Sequence, residues 1–360
     1  MGRLEKLVQV VRGVEADALI LTSTVNMQYA TMYGGLEGMV IIDAAGHGTV
    51  FTDSRYIEDA VRRIGPLGYE VVEPEGSYPT PATIRDFVES GNYRTLAFEN
   101  HRMTVAEYSV YEEMIPARFI PLEDRVEKLR EDKEPEEIQW MTQAQRIAER
   151  ALHRLLPEIK AGAYEDELCA KLRYYMAMEG SAGYAPGMPL VSGKKTSMPH
   201  GQPGHKAIET GDFVTIDFGA EVNGYNSDMT RTFAVGYATD RMRLVYQTVL
   251  DAQSAGIEAF AAGKTGMEVD HAARCVIEKA GFGPYFGHGL GHSLGLEIHE
   301  NPRASRTYAG TMKPGHVITI EPGIYIPGEF GVRIEDMVYL SSEGKINMTE
   351  FPKELMILDA

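Results

Sequence analysis

The segment DFVTIDFGAEVNGYNSDMTRTFAV, residues 212–235, constrains this chain more than any other. Apolar and polar residues alternate on both sides of Asn223-Gly224. That dipeptide between alternating runs is the strongest short hairpin signal, because both turn positions need positive φ. With the turn placed there, Val222 faces Tyr225 and Asp217 faces Thr230. Side chains two apart on a strand share a face, so Asp228 lies beside Thr230 and diagonal to Asp217, about 7–8 Å away at Cα. Two carboxylates at that separation suit metal ions held between them.

A second hairpin is written into HVITIEPGIYIPGEFGVRIEDMVYL, residues 316–340. Pro327-Gly328 marks its turn, and with the centre at Gly328 the acids Glu321 and Glu335 lie seven residues to either side and face each other. One pair of acids at such a spacing is a weak signal; two hairpins that each deliver a pair are a stronger one. Four carboxylates on the inward faces of apolar strands cannot all ionise without a cation. Two divalent ions would neutralise them. Oxygen-rich ligation suits Mn²⁺, with Co²⁺, Zn²⁺ and Fe²⁺ also compatible.

Between the hairpins, FGHGLGHSLGLEIHENPR (286–303) places His288, His292 and His299 within twelve residues. The intervening glycines allow close backbone packing or unusual φ. The glycine spacing is a poor nucleotide loop, since strand–helix context and a downstream ribose-binding acid are both missing. HENPR is not HExxH either, because Arg303 stands at the second histidine position. His200, in MPHG just before the first acidic hairpin, is a fourth candidate.

The rest of the chain reads as two domains, in keeping with 360 residues at about 150 per domain. The first 120 or so residues alternate strand signals (17–23, 39–43, 48–53, LGYEVVE, RTLAFE) with amphipathic helices (SRYIEDAVRRIG, PATIRDFVES), which indicates an α/β domain. The charged stretch LEDRVEKLREDKEPEEI (122–138) reads as solvated helices and marks the boundary, giving domains 1–122 and 123–360. The second domain is α+β: EEIQWMTQAQRIAERALHRLLPEIKAG is a long helix ending at Gly162, ELCAKLRYYMAMEG is another, and strands follow after residue 190 with helices near 240–262 and 266–280. A net charge of −17 disfavours nucleic acid and anionic membrane surfaces as partners. No apolar run approaches the roughly 18 residues of a membrane helix. The opening MGRLEKLVQVVRG reads as an amphipathic helix and not a secretory signal, and Cys169 and Cys275 make no disulfide framework. A cytoplasmic location is expected.

The set Asp217, Asp228, His292, Glu321 and Glu335, in this order and spacing, resembles the dinuclear pita-bread metallopeptidases, a group that includes methionine aminopeptidase, aminopeptidase P and prolidase. DFGAEVNGYNSDMTRT, GHGLGHSLGLEIHE, TIEPGIY and GVRIED match the aminopeptidase P/prolidase branch, and the N-terminal half, with TDSRY at 52–56, is similar to the creatinase-type N-terminal domain of that branch. The resemblance implies a creatinase-like α/β domain followed by an α+β pita-bread catalytic domain. It implies that Asp217 chelates one of two metals alone, that Asp228 and Glu335 bridge both, and that His292 and Glu321 complete the second. His200, His288 and His299 match the substrate-side histidines, and Arg333 and Tyr325 match positions that orient the ligands. Creatinase has the fold without the metal ligands; here all five are present, which disfavours a metal-free amidinohydrolase.

The implied reaction is hydrolysis of the Xaa-Pro bond at the N-terminus of a proline-containing dipeptide or short peptide. Glu321 would pass a proton to the leaving imide nitrogen and His299 would stabilise the oxyanion. Arg303 is the natural clamp for a free C-terminal carboxylate, so prolidase activity is favoured over aminopeptidase P activity. A methionine aminopeptidase is disfavoured by the N-terminal domain and TIEPGIY, and a non-catalytic binding protein on the same fold by the retained ligands. Dimerisation, usual in this branch, is expected by analogy.

Overall fold

The computed structural model describes residues 2–75, 78–184 and 189–360. The chain divides into two compact units, Met1–Arg130 and Glu131–Ala360. The division falls eight residues beyond the 122/123 boundary expected from the charge run. The reason is local: the short charged helix Arg125–Leu129 buries Val126 within the first unit, and Arg130 donates from Nη1 to Asn26 Oδ1 at 2.8 Å. Charge alone does not reveal that one apolar side chain anchors such a helix.

In the first unit a six-stranded mixed sheet runs, from edge to edge, Tyr69–Val72, Gly48–Thr52, Gly38–Asp43, Ala18–Leu21, Thr95–Phe98 and Arg118–Pro121. The central strand Ala18–Leu21 is buried at all four residues, as an ALIL run requires. It pairs antiparallel with Gly38–Asp43 and parallel with Thr95–Phe98. The opening segment is the expected helix, Arg3–Gly13, with Leu7, Val8 and Val11 buried. The helix Pro81–Ser90 inserts Ile84 and Val88 among Ile20, Ile41, Phe51 and Phe98.

In the second unit two helix pairs cover two sets of strands. Pro135–Leu155 and Glu165–Met178 pack Ala148, Leu152, Leu168 and Leu172 against Ile216, Phe218 and Phe233. Asp240–Ala259 and Gly266–Lys279 pack Val245, Val249, Val269 and Ala273 against Ile318, Ile320, Ile324 and Val332. The first helix stops at Leu155 and passes into a 3₁₀ turn, Leu156–Glu158, short of the expected end at Gly162. Pro157 explains this, since it has no N–H for the helical ladder.

Both hairpins have the registers their turns imply. Tyr225 pairs with Val222 and Thr230 with Asp217. Downstream, Gly323 pairs with Arg333 and Ile320 with Asp336, so Glu321 and Glu335 stand across from each other where the ribbon Gly323–Ile326/Phe330–Arg333 meets the sheet Val317–Ile320/Asp336–Leu340.

Candidate active site

The acids converge because the two hairpins dock on each other. Thr230 and Glu335 form a β-bridge in which the Glu335 N–H donates to Thr230 O at 3.1 Å. Thr230 Oγ1 also donates to Glu335 Oε2 at 2.6 Å. Asp217 projects from the strand Phe213–Phe218, and Asp228 sits just before Met229–Val235. Between them Gly219 lets the strands close, since a Cβ there would lie 1.7 Å from Ser227 O. His292 arrives on the strand Gly291–Ser293, which lies against Val317–Ile320 because Gly291 has no side chain: a Cβ would meet Thr319 O at 1.9 Å. The His292 N–H donates to Thr319 Oγ1 at 3.1 Å, and the Glu321 N–H donates to Leu290 O at 2.8 Å, locking the histidine segment to the second hairpin.

All eleven side chains singled out in the sequence line one cavity of about 940 Å³: Asp217, Asp228, His292, Glu321, Glu335, His200, His288, His299, Arg303, Tyr325 and Arg333. Donor atoms of Asp228, His292 and Glu335 lie within 4.8 Å of one another. Glu321 Oε1 is 3.4 Å and Asp228 Oδ2 3.8 Å from His292 Nε2. Asp217 stands outside the 4.8 Å group, with Oδ2 accepting from Arg333 Nη2 at 2.6 Å. The rings of His292 and His299 meet edge to face at 4.4 Å. Of these eleven, His200, His299 and Arg303 are exposed.

Burial, then the charges of Glu335, Asp217 and Glu321, raise the Asp228 carboxyl well above its usual range. Burial, then Glu321 and Asp217, raise Glu335 likewise. Burial pushes Glu321 up to about 8, against the lowering influence of the Arg333 guanidinium. Burial holds His292 down to about 3 and His288 to about 4, so both rings are neutral near pH 7. Desolvation and then the Arg303 charge lower His299.

Two further observations show that a cation fits this donor set. His292 Nδ1 lies 3.1 Å from Ser293 O, which fixes its proton on Nδ1 and leaves the Nε2 lone pair aimed at Glu321 and Asp228. Those are acceptors facing acceptors, an arrangement that a cation or a proton must separate. Glu335 Oε1 is buried without a hydrogen-bond partner among the described residues, an orphaned anionic atom that metal coordination would satisfy.

A polar network supports these donor groups. Arg333 donates from Nη1 to Tyr325 OH at 2.9 Å and from Nε to Thr230 Oγ1 at 3.0 Å, besides its bond to Asp217. Tyr325 OH donates to His288 Nε2 at 3.0 Å, while His288 Nδ1–H donates to Gly289 O at 2.8 Å. Thr230, Thr319 and Arg231 were missed in the sequence. Thr230 was findable, since it shares a strand face with Asp228 opposite Asp217; nothing local marked Thr319 or Arg231.

Residues 139–342 match Metallopeptidase family M24, and residues 3–131 match the Creatinase/Prolidase N-terminal domain. The Xaa-Pro dipeptidase of Pyrococcus furiosus is 37% identical, with 98% of this chain and 99% of that protein covered. Among solved structures, the Xaa-Pro dipeptidase from Bacillus anthracis superposes with TM-score 0.95 at 39% identity, covering 99% of both chains. The X-Pro aminopeptidase from Thermotoga maritima superposes with TM-score 0.91 at 32% identity, covering 97% of this chain and all of that one. Both halves of the chain are thereby accounted for: it belongs to metallopeptidase family M24, a metallopeptidase with a creatinase/prolidase-type N-terminal domain and a pita-bread catalytic domain.

Proposed function

We propose that the protein hydrolyses the Xaa-Pro bond at the N-terminus of short peptides, dipeptides above all, and so acts as a prolidase. The observation that carries this reading is the placement of Arg303 in the same cavity as the carboxylates and histidines, close enough for its charge to act on both His299 and His292. Its guanidinium is a bidentate partner for the C-terminal carboxylate that only a dipeptide presents beside the scissile bond. The relatives named Xaa-Pro dipeptidase support the same substrate.

Asp217 would hold one divalent cation alone, Asp228 and Glu335 would lie between two, and His292 and Glu321 would complete the second site. When bound, such a pair lowers the pKa of a water between them and polarises the scissile carbonyl. The remaining work belongs to side chains. Glu321 takes a proton and delivers it to the imide nitrogen of proline, which cannot leave as an anion. His299, neutral and at the cavity mouth, donates N–H to the developing oxyanion. His200 and His288 hold the peptide, and Arg333 with Tyr325 keeps Asp217 and His288 oriented. Four carboxylates and one imidazole make a donor set suited to Mn²⁺.

A content of two cysteines in 360 residues, too few for a disulfide framework, supports a reducing, cytoplasmic setting. Assembly as a homodimer rests on the family resemblance. The compact units and the family matches support the two-domain assignment, with the catalytic part beginning near residue 131.

The cavity volume favours a second reading. At about 940 Å³ it stands near the top of the roughly 300–1,000 Å³ range of small-ligand sites, more than a dipeptide fills, which suits aminopeptidase P activity on longer peptides. Purified protein is assayed for metal content and for hydrolysis of Xaa-Pro against Xaa-Pro-Yaa. Prolidase activity requires the dipeptide to be preferred; a clear tripeptide preference selects the second reading. Near-native turnover by Glu321→Gln with normal metal content would remove the proton-transfer role.

A further inference from the structure

Asp270 and Arg274 sit one turn apart on the helix Gly266–Lys279, 1% and 5% exposed, and neither takes part in the chemistry above. Their ion pair is bidentate, Arg274 Nε to Asp270 Oδ2 and Nη2 to Oδ1, both at 2.8 Å. The pair also reaches out of its helix. Arg274 Nη1 donates to Phe286 O at 2.9 Å and Nη2 to His288 O at 2.8 Å, and Asp270 Oδ1 accepts from the Leu290 N–H at 3.0 Å. The guanidinium also lies 4.0 Å from the centre of the Phe286 ring. Three alternate residues of one segment, 286, 288 and 290, are thus tied to one helix, and His288 is the middle one.

The segment needs this hold. Phe286 and Leu290 are buried in the core at its two ends, but between them Gly287 and Gly289 add no side-chain packing beside His288, and a Cβ at Gly287 would meet nothing within 4 Å. Glycine-rich backbone without such anchors samples many conformations. Once the backbone is tied, the His288 ring is fixed at both nitrogens, by Gly289 O and by Tyr325 OH. A lysine at 274 could not reproduce the arrangement. The planar guanidinium fork serves two carboxylate oxygens and two carbonyls together, whereas an ammonium is a single point donor.

We propose that Asp270 and Arg274 are positioning residues, which set His288 in the cavity and act on turnover through it. This rests on the peptidase reading above, in which His288 meets the substrate. The test is a double-mutant cycle of Arg274→Lys, His288→Ala and the double variant in the metal-loaded enzyme, on an Xaa-Pro dipeptide. Arg274→Lys alone should lower kcat/KM by about 10²-fold, the effect of roughly 1 Å of misplacement. In the His288→Ala background the same change should matter by less than about twofold. Metal content should not change. Ring ¹⁵N spectra give a readout independent of activity: the signals lost in His288→Ala should show a single Nδ1–H tautomer in the wild type and an averaged pair in Arg274→Lys. Asp270→Asn carries the same cycle should Arg274→Lys not fold. Equal losses in both backgrounds, no loss at all, or an unaltered ring spectrum each overturn the proposal. A wild type inactive on every Xaa-Pro peptide would refute the substrate reading instead, and the ring spectra would still decide the clamp.

Discussion

Replacing Arg231 by Met tests the reasoning about the metal-site scaffold most directly. Arg231 is 1% exposed and donates five hydrogen bonds: Nε to Pro352 O, Nη1 to Thr230 O and Glu335 O, Nη2 to Phe351 O and Asp336 Oδ1, at 2.6–2.9 Å. Removing one partner of a buried ion pair costs about 3–5 kcal/mol. Asp336 Oδ2 keeps Lys353 Nζ at 3.0 Å and Asn347 Nδ2 at 2.8 Å, which argues for the lower end. Thr230 O keeps the Glu335 N–H, but the other carbonyls lose this donor, at about 1–3 kcal/mol for each that water does not reach. With even one of these carbonyls left dry, the expected destabilisation is therefore at least about 4 kcal/mol, a large share of the roughly 5–15 kcal/mol that holds a domain folded. The assay is urea unfolding of metal-free protein followed by the fluorescence of Trp140, the chain's one tryptophan, which belongs to the catalytic unit. Asp336→Leu added to Arg231→Met should restore part of the loss, because it removes the stranded carboxylate and leaves Lys353 free to turn to solvent. Since Arg231 also holds the main chain of Glu335, metal affinity should fall about 10–100-fold. A single variant within about 1 kcal/mol of wild type, or a double variant less stable than the single, would show the reasoning wrong.

Four other outcomes are expected. Metal-free protein should lose stability between about pH 6.5 and 8: Glu321 titrates at about 8 when folded and near 4.5 when unfolded, so the folded state holds the extra proton and its advantage disappears as pH rises. Below about 6.5 the buried neutral rings of His288 and His292 act in the opposite direction, losing stability as pH falls, and thermal melts in chelator with and without added Mn²⁺ separate the two limbs. Glu335→Gln should abolish hydrolysis and reduce metal stoichiometry, yet make the metal-free protein more stable at pH 8, since it removes one of four crowded acids; parallel metal analysis and melts check both halves. Arg303→Ala should raise KM for Xaa-Pro by about tenfold or more while leaving Xaa-Pro-Yaa nearly unaffected, and equal effects on both substrates would discard the carboxylate clamp. Gly291→Ala forces a methyl to 1.9 Å from Thr319 O, so His292 must shift and metal binding should weaken even in the fraction that folds, as titration calorimetry would show.

The parts of the site legible in the sequence are those governed by short-range rules. Asn223-Gly224 sets a register, and that register alone puts Asp217 opposite Thr230; Gly328 does the same for Glu321 and Glu335. How the hairpins dock is not a local matter, and so the bridge from Thr230 to Glu335 was invisible, as was the use of Thr319 to hold both His292 and Glu321. Arg231 alternates with Thr230 and Thr232 and would be read as a solvent-facing strand residue. It is buried because residues 351–352 fold back over it, which no pattern near position 231 announces. The helix end at Leu155 is different: Pro157 is a local signal, and it stops the helix short of the Gly162 end that the segment suggests. The fold itself was readable because strand and helix periods alternate cleanly in the first half and separate into runs in the second.

The bridge between Thr230 and Glu335 also sets an order of events during synthesis. Its two ends are 105 positions apart, so a nascent chain carries its aspartates and His292 well before Glu321 and Glu335 emerge. Until then the early donors hang on separate, hydrated segments, where like charges repel little and a passing ion finds no complete cage. Closure of the last hairpin gathers the donors and their mutual repulsion at once, which ties ion capture to the end of folding and leaves a half-made chain without a working peptidase centre.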